Sequence, residues 1–211
     1  ETLTWEFEIK YRFIVNVIIP MAEKTEGTQD GTHHTELFIN SFDLAARSLY
    51  FTPHDSDNDY DLCVSDNADF ADTGAGWRTL SMGDDDSRRI RLSGGAQVTF
   101  FGQLYDTFYI SSNGYISFTD ADEYNEESLA AHFSLPRISG IFDDLDPSAG
   151  GEVAWNQFQD SVVVRWTDVP EYSYADEPQK RAGNGNTFEI EIFFDGAIKI
   201  IYGDVNVRDG L

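Results

Sequence analysis

Apolar residues occupy every odd position from Leu3 to Ile19: Leu3, Trp5, Phe7, Ile9, Tyr11, Phe13, Val15, Val17 and Ile19. Thr4, Glu6, Glu8, Lys10, Arg12 and Asn16 lie between them, and Ile14 and Ile18 interrupt the polar row. A period of two predicts an extended strand with one buried face. At about 3.3 Å per residue it would reach roughly 56 Å, so it bends, crosses sheets or leaves its domain. The stretch from Lys10 to Ala22 has the basic start, apolar run and small residue of a signal peptide. It begins well inside the chain and carries Asn16, so it is read as part of the strand.

Residues 23–35, EKTEGTQDGTHHT, are polar and contain glycine, which predicts a linker. The chain therefore divides into a strand extension (1–22), a linker (23–35) and a β domain (36–211). Short apolar segments recur through that domain: 48–52, 60–64, 90–92, 98–101, 108–111, 115–118, 153–155, 162–166, 188–194 and 198–202. Asn113-Gly114 and Asp195-Gly196 each sit between two of them, which predicts hairpins with type I′ turns. Residues 65–87 are acidic and glycine-rich, and only 124–133 reads as helical. The expected fold is all-β: an antiparallel β-sandwich, jelly-roll-like, with at most one short helix.

Composition narrows the partners. The 211 residues carry 14 Lys and Arg against 38 Asp and Glu, a net charge of −24. That charge repels nucleic-acid phosphates and anionic lipid surfaces. With 41% hydrophobic and 14% aromatic residues the chain can bury a core rather than stay disordered. No run of 18 apolar residues occurs, so no membrane-spanning helix is expected. The lone Cys63 allows no intrachain disulfide. Acidity, tyrosines and Asn/Asp/Gly-rich turns point to an extracellular or cell-surface protein.

No nucleophile elbow, zinc-protease helix, phosphate loop or dinucleotide fingerprint is present. His33 and His34 fall in the linker, and His132 reads as a packing or capping residue. Cys63, between Leu62 and Val64, reads as a buried inert thiol. Glu123, Glu126 and Glu127 are the carboxylates a polysaccharide-active enzyme would call on, but they read as a solvated acidic face. Calcium is the better use of these acids, since it takes six to eight oxygen ligands. Asp55, Asp57, Asp59 and Asp61 alternate, but Tyr60 stands where an EF-hand loop needs glycine. Asp84, Asp85 and Asp86 follow Gly83, while Asp143, Asp144 and Asp146 end an apolar run and precede Pro147. These two clusters are the candidate metal ligands. Trp155 and Trp166 read as core, and Tyr172 and Tyr174 as exposed ligand-contacting residues.

The segments FYISSNGYISF (108–118), LPRISGIFDDLDPSAGGEVAW (135–155), VVVRWTDVPEY (162–172) and NTFEIEIFFDGAIKIIYGDV (186–205) occur in an ordered series. In that order they resemble nidogen-like extracellular domains, as also found in plexin-domain-containing surface proteins and in secreted proteins of environmental bacteria. The resemblance covers roughly residues 36–211, has no counterpart for residues 1–20, and implies a further strand beyond Leu211. It implies a non-enzymatic adhesion or accessory module. The expectation is thus an extracellular module, calcium-stabilised, binding protein subunits or glycan. The alternative is a homo-oligomeric filament or surface-layer subunit that donates its N-terminal strand to a neighbour.

Overall fold

Val162, Val164 and Trp166 alternate with Val163 and Arg165, and Phe188, Ile190 and Ile192 alternate with Glu189 and Glu191. One row of each strand enters the main core and the other faces away, as the pleat requires. The computed structural model describes residues 42–53, 60–125, 129–172 and 185–207, together with the backbone of 18–19 and 36–37. Leu3 to Val17 and Tyr174 lie outside the described residues.

The first strands are β1 (Ile18–Ile19), β2 (Glu36–Leu37), β3 (Ser48–Pro53), β4 (Tyr60–Ser65) and β5 (Arg78–Leu80). Next come β6 (Ser87–Arg91), β7 (Val98–Phe100), β8 (Gln103–Tyr105), β9 (Thr107–Ser111) and β10 (Tyr115–Ser117). The helix α1 (Leu129–His132) precedes β11 (Arg137–Ser139), β12 (Glu152–Gln157), β13 (Ser161–Pro170), β14 (Gly185–Phe193) and β15 (Ile198–Tyr202). A seven-stranded sheet runs β4-β3-β15-β14-β13-β12-β5, and a four-stranded sheet runs β11-β10-β9-β6. Every pairing in both sheets is antiparallel. β1 pairs with β2 in parallel, apart from both sheets.

The two sheets share one core. Ile90, Phe108, Ile110, Ile116 and Ile138 from the smaller sheet meet Trp155, Val164, Trp166, Phe188, Ile190 and Ile200 from the larger. Trp166 is fully buried and stacks on Phe188 at 4.8 Å. Its Nε1 donates to Ser111 O at 3.2 Å, so a buried indole N–H ties one sheet to the other. Tyr202 repeats the device, donating its hydroxyl to Gly140 O at 2.8 Å. The fold is the expected all-β sandwich, with one helix among the described residues. No helix among them is long and apolar enough to cross a membrane.

Three local expectations are corrected. The Asn-Gly and Asp-Gly turns are not two-residue type I′ turns. Ile110 pairs with Ile116 and Ile192 with Ile198, so each loop is odd-numbered and only Gly114 and Gly196 take positive φ. The helix is shorter than 124–133, its assigned span being Leu129–His132. Cys63 is exposed, because β4 is an edge strand and its core-facing positions are Tyr60 and Leu62.

Residues 66–77 form a strap across the large sheet. The strap leads from β4 at one edge of the large sheet to β5 at the other. Successive strands hold it down. Ser48 Oγ on β3 donates to Asn67 O (2.7 Å), and Lys199 Nζ on β15 donates to Asp69 O (2.6 Å). Glu189 Oε1 on β14 accepts from Ala71 N (3.0 Å), and Arg165 Nη2 on β13 donates to Ala71 O (2.7 Å). Arg165, Glu189 and Lys199, from the outward rows of β13, β14 and β15, are therefore spent on backbone groups of the strap.

Candidate metal centre

The segment from Thr107 to Thr119 contains no charged residue, and its middle, the β9–β10 turn, is buried. Asn113 is fully buried at the centre of that turn. Gly114 follows with φ +81°, and a Cβ there would lie 2.2 Å from Ile141 O, so only glycine fits. The turn presents backbone groups to two others. Ser112 N donates to Asp86 O (2.8 Å), while Asp86 N donates to Ser112 Oγ (2.9 Å), which fixes the β5–β6 turn. Gly140 N and Ile141 N donate to Gly114 O (3.1 and 3.3 Å), which fixes the segment leading to Asp143.

The Asn113 side chain completes the junction. Its Nδ2 donates to Asp85 Oδ1 (3.0 Å) and Tyr124 O (3.1 Å). Its Oδ1 accepts from Leu145 N (3.0 Å) and Ser112 Oγ (3.3 Å). One buried amide thus binds the β5–β6 turn, the 143–146 turn and the 122–125 loop. As a result Asp84, Asp85 and Asp144 each place a carboxylate oxygen within 4.8 Å of the others. The two clusters that look separate along the chain form one site.

Electrostatics agree with that geometry. The Asp84 carboxyl is pushed up to about 6, first by desolvation and then by the charges of Asp85 and Asp146. Asp85 takes φ 48°, a left-handed conformation that Asp tolerates better than most residues. Its second oxygen accepts from Asn125 Nδ2 at 2.9 Å. The 122–125 loop is held from below by Arg137, buried between Tyr115 and Phe142 at 4.4 and 4.9 Å and paired with Asp122. Burial pulls the Arg137 pKa down, and the Asp122 charge opposes this.

The remaining candidates divide. Asp86 accepts from Gly83 N (2.9 Å) and Ser87 N (2.8 Å) and pairs with Arg88, so its carboxylate serves its own turn. Asp143 is buried and accepts from Asp144 N at 2.8 Å. Asp146 is buried, accepts from Ser148 N at 2.9 Å, and sends its charge towards Asp84. Tyr172 is half-buried, and its N donates to Asp144 O at 2.7 Å. The backbone of Tyr172 is therefore tied to the aspartate turn. Asn113 was not among the candidate residues. The available signal was the uncharged stretch around an Asn-Gly turn, since an exposed turn ordinarily has charged neighbours.

A family model described as NIDO related matches residues 59–210, a span that includes both aspartate turns and Asn113. No curated protein and no solved structure matches the chain. On that match, over most of its length, the chain belongs to the NIDO-related family, whose domains are extracellular, non-enzymatic structural modules of the nidogen type.

Proposed function

We propose that this chain is a non-catalytic adhesion or assembly module that calcium stabilises at the joined aspartate turns and that contacts protein or glycan. The observation carrying this reading is the approach of the Asp84, Asp85 and Asp144 carboxylates within 4.8 Å. Like charges at that spacing repel unless a proton or a cation intervenes. The donors are carboxylate oxygens with no imidazole or thiolate among them, the set that suits a hard ion. Asp84, Asp85 and Asp144 would hold the ion, and Asp146 would add charge beside it. Tyr172, hydrogen-bonded through its backbone to the Asp144 carbonyl, offers a contact surface next to the ion.

Thermal melting of the chain in calcium against a chelator tests this. Occupied at a hundredfold excess over Kd, a site adds about 2.7 kcal/mol, which raises Tm by roughly 5–10 °C for a domain of this size. Identical melting curves, or an increment that survives in the Asp85→Asn/Asp144→Asn variant, remove calcium from the account.

A second reading, donation of the alternating N-terminal strand to a neighbouring molecule, draws on the sheet edge. Among the described residues no strand flanks β4 on its outer side, and Val64 on β4 is 47% exposed. Such an edge takes an added strand. Deleting residues 1–20 should abolish higher-order assembly and leave a folded monomer; global unfolding instead would place that strand inside its own domain.

A further inference from the structure

On the outer face of the large sheet the strap stands away from the β12–β13 turn and leaves a cavity of about 290 Å³. Glu191 and Ser161 contribute to its lining, with the Ser161 hydroxyl donating to Glu191 Oε1 at 2.8 Å. Phe70 and Phe158 also line it, and each ring has a neighbour. Arg165 lies over Phe70 at 5.4 Å, and Trp77 meets Phe158 edge-on at 6.4 Å. Asp69, Asp72 and Asp160 complete the acidic lining. One cation, Lys199, is present, with its ammonium on the Asp69 carbonyl and over the Tyr50 ring. Four acidic residues therefore line the cavity against a single ammonium that is already engaged, with Asp72 Oδ1 accepting from Gly74 N at 3.1 Å.

The spacing of those carboxylates selects the class of ligand. Among the described residues, the Asp84 site is the one group of three whose ligand atoms fall within 4.8 Å of each other. The acids around this cavity are too dispersed to chelate a hard ion, which needs several oxygens at about 2.3–2.6 Å. Aromatic walls are also poor company for a hydrated divalent ion. They suit an organic cation, whose apolar stem lies on the rings while its charge reaches the carboxylates. Burial pushes the Glu191 carboxyl up, with Asp160 and Asp69 adding to the rise while Ser161 and Lys199 oppose it. A cation at that carboxylate would relieve both the burial cost and the repulsion.

We infer that this cavity is a receptor for a lysine or arginine side chain of a partner protein, seated between Phe70 and Phe158 with its charge on Glu191 and Asp160. The site is separate from the aspartate turns and stands whether or not calcium binds there.

Amide shifts of the full chain, followed by NMR, decide it. The probes are the Nα-acetyl methylamides of lysine, arginine and norleucine, with putrescine and calcium chloride titrated separately. Saturable millimolar shifts at Ala71, Phe158, Ser161 and Glu191 are expected with the lysine and arginine probes and not with norleucine. Glu191→Gln should weaken binding about tenfold, the worth of one charge-assisted hydrogen bond. Asp160→Asn, on an exposed turn, should also weaken it and serves if the first variant misfolds. Equal shifts with norleucine, no shifts, or unchanged affinity in the folded variants overturn the inference. So do tighter binding of putrescine, which would assign the cavity to free polyamines, and calcium shifts at these same amides.

Discussion

Asn113 Nδ2 donates to Asp85 Oδ1 at 3.0 Å, joining residues 28 positions apart. Because the same side chain accepts from Leu145 N at 3.0 Å, it sets the distance between the two aspartate turns. The candidate metal centre is thus held by one buried amide together with the backbone bonds of Ser112 and Gly114 beside it.

Replacing that amide should separate the turns. Asn113→Ala leaves a buried Leu145 N–H without its acceptor and takes one donor each from Asp85 and the Tyr124 carbonyl, at a cost of about 1–3 kcal/mol. Urea denaturation should show a lower midpoint with an unchanged slope, and the calcium increment in Tm should shrink with it. Full stability, or an undiminished increment, would show that the turns do not depend on Asn113.

The Asp84 carboxyl gives the chelated protein a distinct pH dependence. Its pKa rises from 3.8 to about 6 on folding, so the folded state holds this proton more tightly than the unfolded chain. Protonation of Asp84 therefore stabilises the fold below about pH 4, and this contribution is lost as pH rises through about 6. Asp84→Asn should flatten the decline between those limits and raise stability at neutral pH without calcium. Calcium competes with the proton, so its affinity should fall as pH drops below about 6. Melting curves across this range, with and without chelator, check both signs; an Asp84→Asn variant less stable than the parent at pH 7 in chelator contradicts the repulsion.

The strap depends on a buried ion pair. Glu189 is fully buried and accepts from Arg165 Nε at 2.6 Å, while Arg165 is 12% exposed by its side chain. Burial pushes the Glu189 carboxyl up, with Ala71 N and Arg165 opposing the rise. Breaking the pair with Arg165→Met strands a buried carboxylate and should cost about 3–5 kcal/mol. The double variant Arg165→Met/Glu189→Met removes both charges and should recover part of that loss. A double-mutant cycle by chemical denaturation measures the coupling, and strict additivity would show that the two residues hold the strap independently.

Much of the architecture was legible along the chain. Most strands of both sheets follow from short apolar segments between turn residues, β5 in the acidic stretch being missed, and Trp155 and Trp166 read correctly as core. His132 likewise packs as expected, buried against Phe133 and Phe142. These features depend on period, propensity and local turn chemistry, all carried by neighbouring residues. Cys63 was misread because a strand's period does not tell whether the strand lies at an edge.

The sequence by itself determined an acidic all-β domain and two aspartate-rich turns, because composition and alternation are properties of adjacent positions. Tertiary structure alone decided that Asp84, Asp85 and Asp144 meet, that Asn113 joins them, and that residues 66–77 cross the sheet. Those relationships depend on contacts between residues far apart in the chain, and hydrogen bonding across such distances leaves no periodic trace in a single sequence.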